Sequence, residues 1–293
     1  MEDKVKFQHY VPRVYLKNFA QNKKGQYYLY CFDKLLSKSY GINISQIACD
    51  KEFYDTCEDE QITEKILREI ETDFDKAIRK IIENKDITKL DSKEKIILSK
   101  FIATQFIRTK EARKKLEEIP KKILERFGGN IEPNFKKEIE DSLIENNIRT
   151  THKKIISKTF LGFASILLQM KWILVINKSS ESLITSDNPI TLYNSLPTPP
   201  FLSNLGLKCK GIQLYFPINP YLNLIICDPI EYALLPNKAL LSDIQTVIFS
   251  NDLQTLSSTR YLFSIKDDFL DAKKRIKETP EVANPNRDRM KII

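Results

Sequence analysis

The chain has 293 residues, a formal net charge of +8 and 42% hydrophobic residues, a composition typical of a folded globular protein. No apolar run approaches the roughly 20 residues that a membrane helix needs. The N-terminal stretch MEDKVKFQH lacks the apolar core of a signal peptide. These features predict a cytoplasmic protein with no membrane partner.

The numbers and spacing of cysteine, histidine and glycine limit which cofactors the chain is expected to bind. Five scattered cysteines, none spaced as C-x-x-C, and only two histidines leave no zinc or haem signature. The seven glycines form neither a G-x-G-x-x-G motif nor a phosphate-binding loop, so there is no dinucleotide signature. Mg²⁺ or Mn²⁺ stays open as a cofactor. The basic surplus favours nucleic acid, RNA or DNA, as a partner, although a general bias towards lysine in the composition is the simpler explanation.

The first half of the chain predicts one strand followed by long helices. Residues 27–32 (YYLYCF) form a compact run of strand-forming residues. Residues 61–84 place an isoleucine or phenylalanine at every third or fourth position, which indicates an amphipathic helix. A second helix is expected over residues 91–127, capped by the aspartate at its start and kinked or broken at Pro120, and a third over residues 134–170.

The second half changes to short apolar runs bounded by Asn, Pro, Ser and Asp, which is typical of strands. The predicted strands are residues 172–176, 183–184, 190–193, 212–216, 222–227 and 261–265. A helix at residues 237–251 separates the last two, and a flexible basic tail is expected over residues 281–293. Because helices precede strands without regular alternation, we predict an α+β fold. Its helix-rich middle would pack on a mostly antiparallel mixed sheet formed largely by the second half.

The helix predicted from Asp91 carries two polar side chains on an apolar surface. Gln105 and Arg108 fall within an arc of about 80° that also contains Ile97 and Phe101. The rest of the circumference is largely apolar, so this helix is expected to be buried. A buried arginine needs a carboxylate, carbonyl or phosphate partner. Arg108 is therefore either a structural ion-pairing residue or an anion-binding residue on a rigid element.

A second polar segment, Thr185-Ser186-Asp187-Asn188-Pro189, lies between two apolar runs. Pro189 restricts Asn188 to extended conformations, and Asp and Asn side chains can fix a sharp loop by bonding to nearby backbone. Scaffolds often carry catalytic groups on such loops at strand ends. The segment is either a rigid turn or a site in which Asp187 acts as a base or metal ligand and Ser186 or Asn188 positions it.

A third candidate is His9, in the run QHYVPR at residues 8–13. Its aromatic and aliphatic neighbours indicate that the segment docks against the body of the protein. Histidine is also the side chain best suited to proton transfer near neutral pH. The other histidine, His152, lies next to lysines and is predicted to sit on a helix surface.

Taken together, three segments resemble the bacterial domain-of-unknown-function family 4238. They are QHYVPR with Tyr15, Leu16 and Phe19, then F-x-x-x-Q-x-x-R-T at residues 101–109, then TSDNP at residues 185–189.

Two later stretches extend this resemblance. FPINP at residues 216–220 is similar to the family's Pro-Leu-Ser-Pro element, with Ile218 and Asn219 in place of its leucine and serine. Residues 251–261 resemble the family's closing Asn-containing segment. Because the similarity extends over nearly the whole chain, it implies one integrated domain over residues 1–280.

The resemblance also implies that His9, Gln105, Arg108 and Asp187 converge. The first hypothesis is an enzyme acting on nucleic acid or nucleotide phosphates, such as a nuclease-type effector in phage defence or a toxin. His9 would move the proton, Arg108 and Gln105 would stabilise negative charge, and Asp187 would orient the histidine or hold a metal.

In such a site Ser186 and Asn188 would position the reacting groups, and Tyr10 and Arg13 would contact the substrate. The alternative is a non-catalytic module that binds anions or nucleic acid, in which the same residues form a buried structural network.

Overall fold

The computed structural model describes residues 4–55, 60–197 and 204–289. The first part is rich in short strands, which are β1 (Phe7–His9), β2 (Gln21–Lys23), β3 (Gln26–Asp33), β4 (Lys38–Asn43) and β5 (Cys49–Lys51), with the helix α1 (Arg13–Leu16) after β1. Long helices follow: α2 (Ile62–Asn84), α3 (Ser92–Ile107), α4 (Lys110–Phe127), α5 (Pro133–Ser142) and α6 (Glu145–Gln169).

Strands dominate the last part of the chain. They are β6 (Lys171–Asn177), β7 (Thr185–Ser186), β8 (Thr191–Asn194), β9 (Ile212–Asn219), β10 (Leu222–Cys227), β11 (Lys238–Leu241) and β12 (Tyr261–Ser264), with helix α7 (Ile244–Ser257) before β12 and helix α8 (Leu270–Glu278) after it. Short 3-10 turns lie at Lys17–Phe19, Ile44–Gln46, Ile87–Lys89 and Pro280–Ala283. The α+β prediction is confirmed.

The strands form two five-stranded sheets and a two-stranded one. One large sheet, in the order β11-β6-β10-β9-β8, comes entirely from the second half, as predicted. The other joins the two halves in the order β2-β3-β12-β7, with β4 paired to β3. Pairing is antiparallel throughout except between β11 and β6. The second sheet was not expected, because β3 pairs with β12 in the register Cys31↔Phe263, a partner that no local pattern reveals.

Helices cover both faces of the second-half sheet. Neighbouring side chains of a strand point to opposite faces, so consecutive residues of β9 contact different helices. Phe216 of β9 faces Phe101 of α3 (ring centroids 6.2 Å), and Phe101 stacks on Phe74 of α2 (3.5 Å). The adjacent Tyr215 meets Phe249 of α7 at 5.9 Å. The helix α3 is therefore buried, as its apolar circumference predicted.

Several helix boundaries differ from the prediction. The helix expected over residues 91–127 breaks after Arg108 instead of at Pro120, which lies inside α4. Thr109 ends one helix and begins the next, since its hydroxyl oxygen accepts the N–H of Ala112 (3.2 Å) and caps α4. The stretch 134–170 likewise divides into α5 and α6, and residues 237–251 begin with β11 before α7. An aspartate at the start of α3 does form the expected cap.

The described part of the expected tail lies against the body of the protein. Val282 is 4% exposed, and Arg289 donates its N–H to the Glu118 carboxylate (2.7 Å). Residues 281–289 are therefore in contact with the rest of the protein rather than free. Residues 290–293 fall outside the described residues.

Candidate functional site

Arg108 lies at the end of α3 and is 2% exposed. Its guanidinium pairs through Nη1 with Glu71 (2.8 Å), donates through Nη2 to the His9 carbonyl oxygen (2.5 Å) and through Nε to the Tyr54 hydroxyl (3.3 Å). Burial lowers the pKa of Arg108, but Tyr54 and Glu71 outweigh burial and raise the pKa overall. Arg108 therefore ties β1 and α2 to the end of α3 with its charge fully partnered.

Gln105, one helical turn earlier, joins the same helix to the N-terminal segment. Its Nε2 donates to the Tyr10 carbonyl oxygen (3.0 Å), and the side chain is 1% exposed. The Tyr10 ring is buried as well, packed on Phe53 (centroids 5.3 Å) and under the Lys110 ammonium (4.9 Å). Both predicted site residues thus lie inside the fold and not at an open surface.

Asp187 is 1% exposed, and its carboxylate is directed at backbone. Oδ1 accepts the N–H of Thr259 (2.8 Å), and Oδ2 accepts those of Arg260 (2.8 Å) and Tyr261 (3.0 Å). Burial raises the pKa of Asp187, while the Lys34 charge and the three N–H groups oppose that shift. The carboxylate therefore holds the turn that leads from α7 into β12.

Ser186 and Asn188 complete this arrangement. The Ser186 hydroxyl donates to Gln254 Oε1 (2.7 Å) and accepts the N–H of Asn188 (3.1 Å). The Asn188 side chain accepts from the Thr109 hydroxyl (3.0 Å) and donates to the Ser257 carbonyl (3.2 Å). We call this group of hydrogen-bonded residues the corner network; it comprises Thr109, Ser186, Asp187, Asn188, Gln254 and residues 257–261.

His9 is partly buried beside the surface. Burial, followed by the charges of Arg13 and Arg108, lowers the pKa of His9 to about 4, and the backbone of Ile44 and Ser45 opposes this shift. The ring is therefore uncharged at neutral pH. Its Nε2 is buried and has no aligned hydrogen-bond partner among the described residues.

His152 is not on a helix surface, as its lysine neighbours predicted, but fully buried at 0% exposure. Its Nε2 bonds to the Ile107 carbonyl oxygen (2.7 Å), and Nδ1 accepts from Arg113 (3.1 Å). These contacts fix the neutral tautomer with the proton on Nε2. Burial and the Arg113 charge lower the pKa of His152 to about 3.

An open cleft of about 710 Å³ lies beside His9, between the N-terminal segment, the β2–β3 hairpin and α2. We call it the basic cleft; residues on its wall include Arg13, Lys17, Tyr27, Ser45, Arg68, Glu71, Asp75 and Lys76. The four basic side chains on this wall are exposed. The two acidic ones are already paired, with Arg108 (2.8 Å) and Arg79 (2.6 Å) respectively. The cleft therefore carries a surplus of positive charge.

The three segments singled out by the sequence adjoin one another. Arg108 holds the His9 carbonyl, and the next residue, Thr109, holds Asn188. Of the predicted site residues, Arg13 is on the wall of the basic cleft, whereas Asp187 and Gln105 are not. The convergence expected from the resemblance thus takes the form of a chain of internal hydrogen bonds.

Sequence reasoning missed most of the basic cleft. Glu71 was not recognised as the partner of Arg108, and Arg68, Lys76 and Lys17 were not considered. One signal was available, because residues 68, 72, 75 and 76 recur at helical spacing on the polar face of α2. The contribution of Lys17 and the β2–β3 hairpin had no such signal, since it depends on how the N-terminal segment packs on α2.

Within residues 4–55, 60–197 and 204–289, no three or more His, Cys, Asp or Glu side chains are grouped so as to hold a metal ion. Asp187, the metal ligand considered from the sequence, is instead surrounded by N–H groups, which cannot coordinate a cation. None of the described helices combines the length and apolar character needed to cross a membrane.

Fold and site together define an α+β protein with a buried corner network and, at its surface, a basic cleft. The family model described as "Protein of unknown function (DUF4238)" matches residues 8–268, and the chain belongs to this family. Comparisons with curated proteins and with solved structures gave no match.

Proposed function

We propose that this protein binds a phosphate-bearing ligand, nucleic acid or nucleotide, in the basic cleft. The observation that carries the proposal is the charge of the cleft wall. Arg13, Arg68 and Lys76 are exposed there and make no ion pair with a described residue, while both wall carboxylates are neutralised by other arginines. Arginine guanidinium groups form bidentate hydrogen bonds with phosphate oxygens, so two of them on one wall favour such a ligand.

The shape and lining of the cleft support a ligand larger than a single ion. A volume of about 710 Å³ is within the range of small-molecule sites. Tyr27 on the wall offers an aromatic surface, and the Lys17 ammonium lies 5.2 Å from the centre of its ring. Aromatic rings beside basic groups recur in sites that bind single-stranded nucleic acid.

Binding without reaction is favoured by the state of the predicted catalytic side chains. Gln105, Arg108, Ser186 and Asp187 are all below 3% exposed and direct their polar atoms at other parts of the protein. Such a network positions the elements that carry the cleft. Burial keeps these four side chains away from a substrate in the cleft.

The test is a titration with fluorescent RNA, DNA and ATP analogues, read by anisotropy at two salt concentrations. The Arg13→Gln/Arg68→Gln variant should weaken binding at least ten-fold and flatten the salt dependence, because each lost phosphate contact removes one released counterion. The matched control is Lys154→Gln/Lys158→Gln, which removes the same charge from the exposed side of α6.

Equal losses in both double variants would show that the overall charge, and not the basic cleft, attracts the ligand. Absence of binding to all three probes by the unaltered protein would end the proposal.

A second candidate, phosphodiester cleavage, is favoured by one observation. His9 Nε2 is a buried polar atom with no aligned hydrogen-bond partner in the described part of the chain, and such atoms in native structures often have a functional explanation. An uncharged imidazole beside the cleft could accept a proton. The test is incubation with RNA and DNA, with and without Mg²⁺ or Mn²⁺. A cleavage activity lost in His9→Gln at unchanged melting temperature supports this candidate, and the lack of any product rejects it.

A further inference from the structure

The last described residues form a strap held by polar contacts. Val282 is the last buried apolar side chain before residues 284–289, which we call the C-terminal strap. Within the strap, Asn286 accepts from Lys114 (2.7 Å), and Asp288 lies 3.8 Å from the Lys122 ammonium. These two contacts lie at the surface, where water and salt weaken interactions between polar and charged groups.

Both strap arginines reach a buried carboxylate. Glu111 is 4% exposed, and its Oε1 lies 2.9 Å from Arg289 Nε and 3.5 Å from Arg287 Nη2. Its other oxygen accepts from the Thr259 hydroxyl (2.9 Å), which fixes the carboxylate in place. The arginine side chains are themselves below 10% exposed. The Glu111 carboxylate, held in place by the Thr259 hydroxyl, is therefore positioned to bind guanidinium groups.

The end of α7 supplies further acceptors for Arg287. Arg287 Nη2 donates to the carbonyl oxygens of Leu256 (3.1 Å) and Ser258 (3.0 Å). Carbonyl groups at a helix C-terminus have no partner within the helix and carry partial negative charge, so they attract cations. Arg287 occupies a position that favours a cation whatever chain supplies it.

A second cation opposes this binding. Lys34 is 1% exposed, and its ammonium donates to the carbonyl oxygens of Thr255 and Ser258, both at 2.8 Å. Arg287 and Lys34 thus share the Ser258 oxygen, and like charges in such proximity repel. Burial lowers the pKa of Lys34 to about 7; Asp187 opposes the shift, and Arg287 adds to it. The strap arginines are consequently attracted by Glu111, and Arg287 is repelled by Lys34.

We propose that Glu111, Thr259 and the carbonyl end of α7 form a binding site for an arginine-bearing peptide segment, which the C-terminal strap fills reversibly in the same chain. The site is separate from the basic cleft and independent of the function proposed for it. Because Lys34 repels Arg287 at the shared Ser258 oxygen, the strap is exchangeable, and a peptide with arginines at the same spacing can replace it.

Hydrogen exchange of the full chain, measured by mass spectrometry on fragments that cover residues 280–289, tests the proposal. The Arg289 N–H bonds to Glu118 only while the strap is docked, so its exchange reports release. Glu111→Gln should speed exchange of the strap at least ten-fold. Lys34→Met should slow it relative to the other fragments of the chain, because the repulsion of Arg287 is removed. Comparison with those fragments corrects for the donor that the Thr255 and Ser258 carbonyl oxygens lose.

These opposite signs separate the proposal from general destabilisation, which can only speed exchange. Lys121→Met serves as the control, because it removes a charge from α4 at a side chain that is 56% exposed. An unchanged or faster rate in Lys34→Met would overturn the repulsion on which reversibility depends.

Replacement is tested by adding the peptide Asn-Pro-Asn-Arg-Asp-Arg at millimolar concentration to the unaltered chain. Exchange of the strap should rise at least three-fold, and a peptide with glutamine in place of both arginines should have no effect. Equal effects of the two peptides, or no effect of either, would reject the site as a peptide receptor.

Discussion

The corner network and the basic cleft both contain polar residues. Those of the corner network bond to other parts of the protein, whereas the basic residues of the cleft are exposed. In the corner network, Asp187 accepts three backbone N–H groups and Asn188 links Thr109 to the end of α7. In the basic cleft, Arg13 and Arg68 are exposed and directed at no described carboxylate. A polar motif that is conspicuous in the sequence can therefore stabilise the fold. The residues available to a ligand are exposed basic side chains that belong to no evident motif.

The largest effect expected from this contrast is that of Asp187→Ala. It would leave three N–H groups, one buried and two partly buried, without an acceptor. Each unsatisfied group costs about 1–3 kcal/mol, and the lower value suits the partly buried ones, so a loss of about 3 kcal/mol or more in the free energy of unfolding is expected. Urea denaturation measures it. The control is Asp243→Ala, an exposed cap of α7 where water can replace the carboxylate, and its loss should be clearly smaller. Similar losses would remove the distinction between the two kinds of site.

Arg108, which is buried, and Arg68, which is exposed on the wall of the basic cleft, test the same comparison. Arg108→Met should destabilise the protein by about 3 kcal/mol, because Glu71 and the His9 carbonyl lose a buried partner. Arg68→Met should leave the free energy of unfolding nearly unchanged and weaken ligand binding instead. Thermal and urea unfolding, together with the anisotropy titration, separate these outcomes. A strongly destabilising Arg68→Met would place that residue in the structural class.

Acid should destabilise the folded protein through its two histidines, whose rings are shielded from water. Both histidines have a pKa lowered in the folded protein, His9 to about 4 and His152 to about 3, chiefly by burial. Between about pH 6.5 and pH 4 the unfolded chain therefore binds more protons than the folded one. Stability should fall as the pH decreases through this window, by up to about 1.4 kcal/mol per pH unit for each histidine.

The variant His152→Gln should reduce that slope, because one titrating group is removed and the glutamine stays uncharged. Urea midpoints at half-unit steps of pH measure it. A slope that is the same in the variant would assign the acid sensitivity to His9 or to carboxylates instead of His152.

The smallest effect concerns the junction of the two helices. Thr109→Ala removes both the cap of α4 and the bond to Asn188, and a loss of about 1 kcal/mol is expected. Thr109→Ser keeps the hydroxyl and should retain most of the stability. If the two variants lose the same amount, the methyl group and not the hydroxyl is what matters at this position.

Local patterns predicted some features correctly because their cause is local. The aspartate cap and apolar circumference of α3, the helix α2 and the strand β3 all follow from neighbours within a few residues. The break at Arg108 was missed although a cap signal was present, since Pro120 was given more weight than Thr109. Proline lies in the interior of α4 without ending it.

The partners of the polar residues could not be predicted in the same way. Arg108 was expected to need a carboxylate, carbonyl or phosphate partner, but the carboxylate it pairs with, Glu71, lies 37 positions away on another helix. The acceptors and donors around Asp187 are 72 to 74 positions away. No spacing rule relates residues whose proximity depends on how β7, α7 and β12 assemble.

The sequence by itself determined the fold class, the family to which residues 8–268 belong and the buried position of α3. These follow from hydrophobic periodicity and short motifs, which act between neighbours along the chain. Only the tertiary structure decided that Asp187 is enclosed by N–H groups, that Arg13 shares a cleft with Arg68, and that the strap meets Glu111. Hydrogen bonds and charges act over a few ångströms in space, so their partners are set by packing and not by order along the chain.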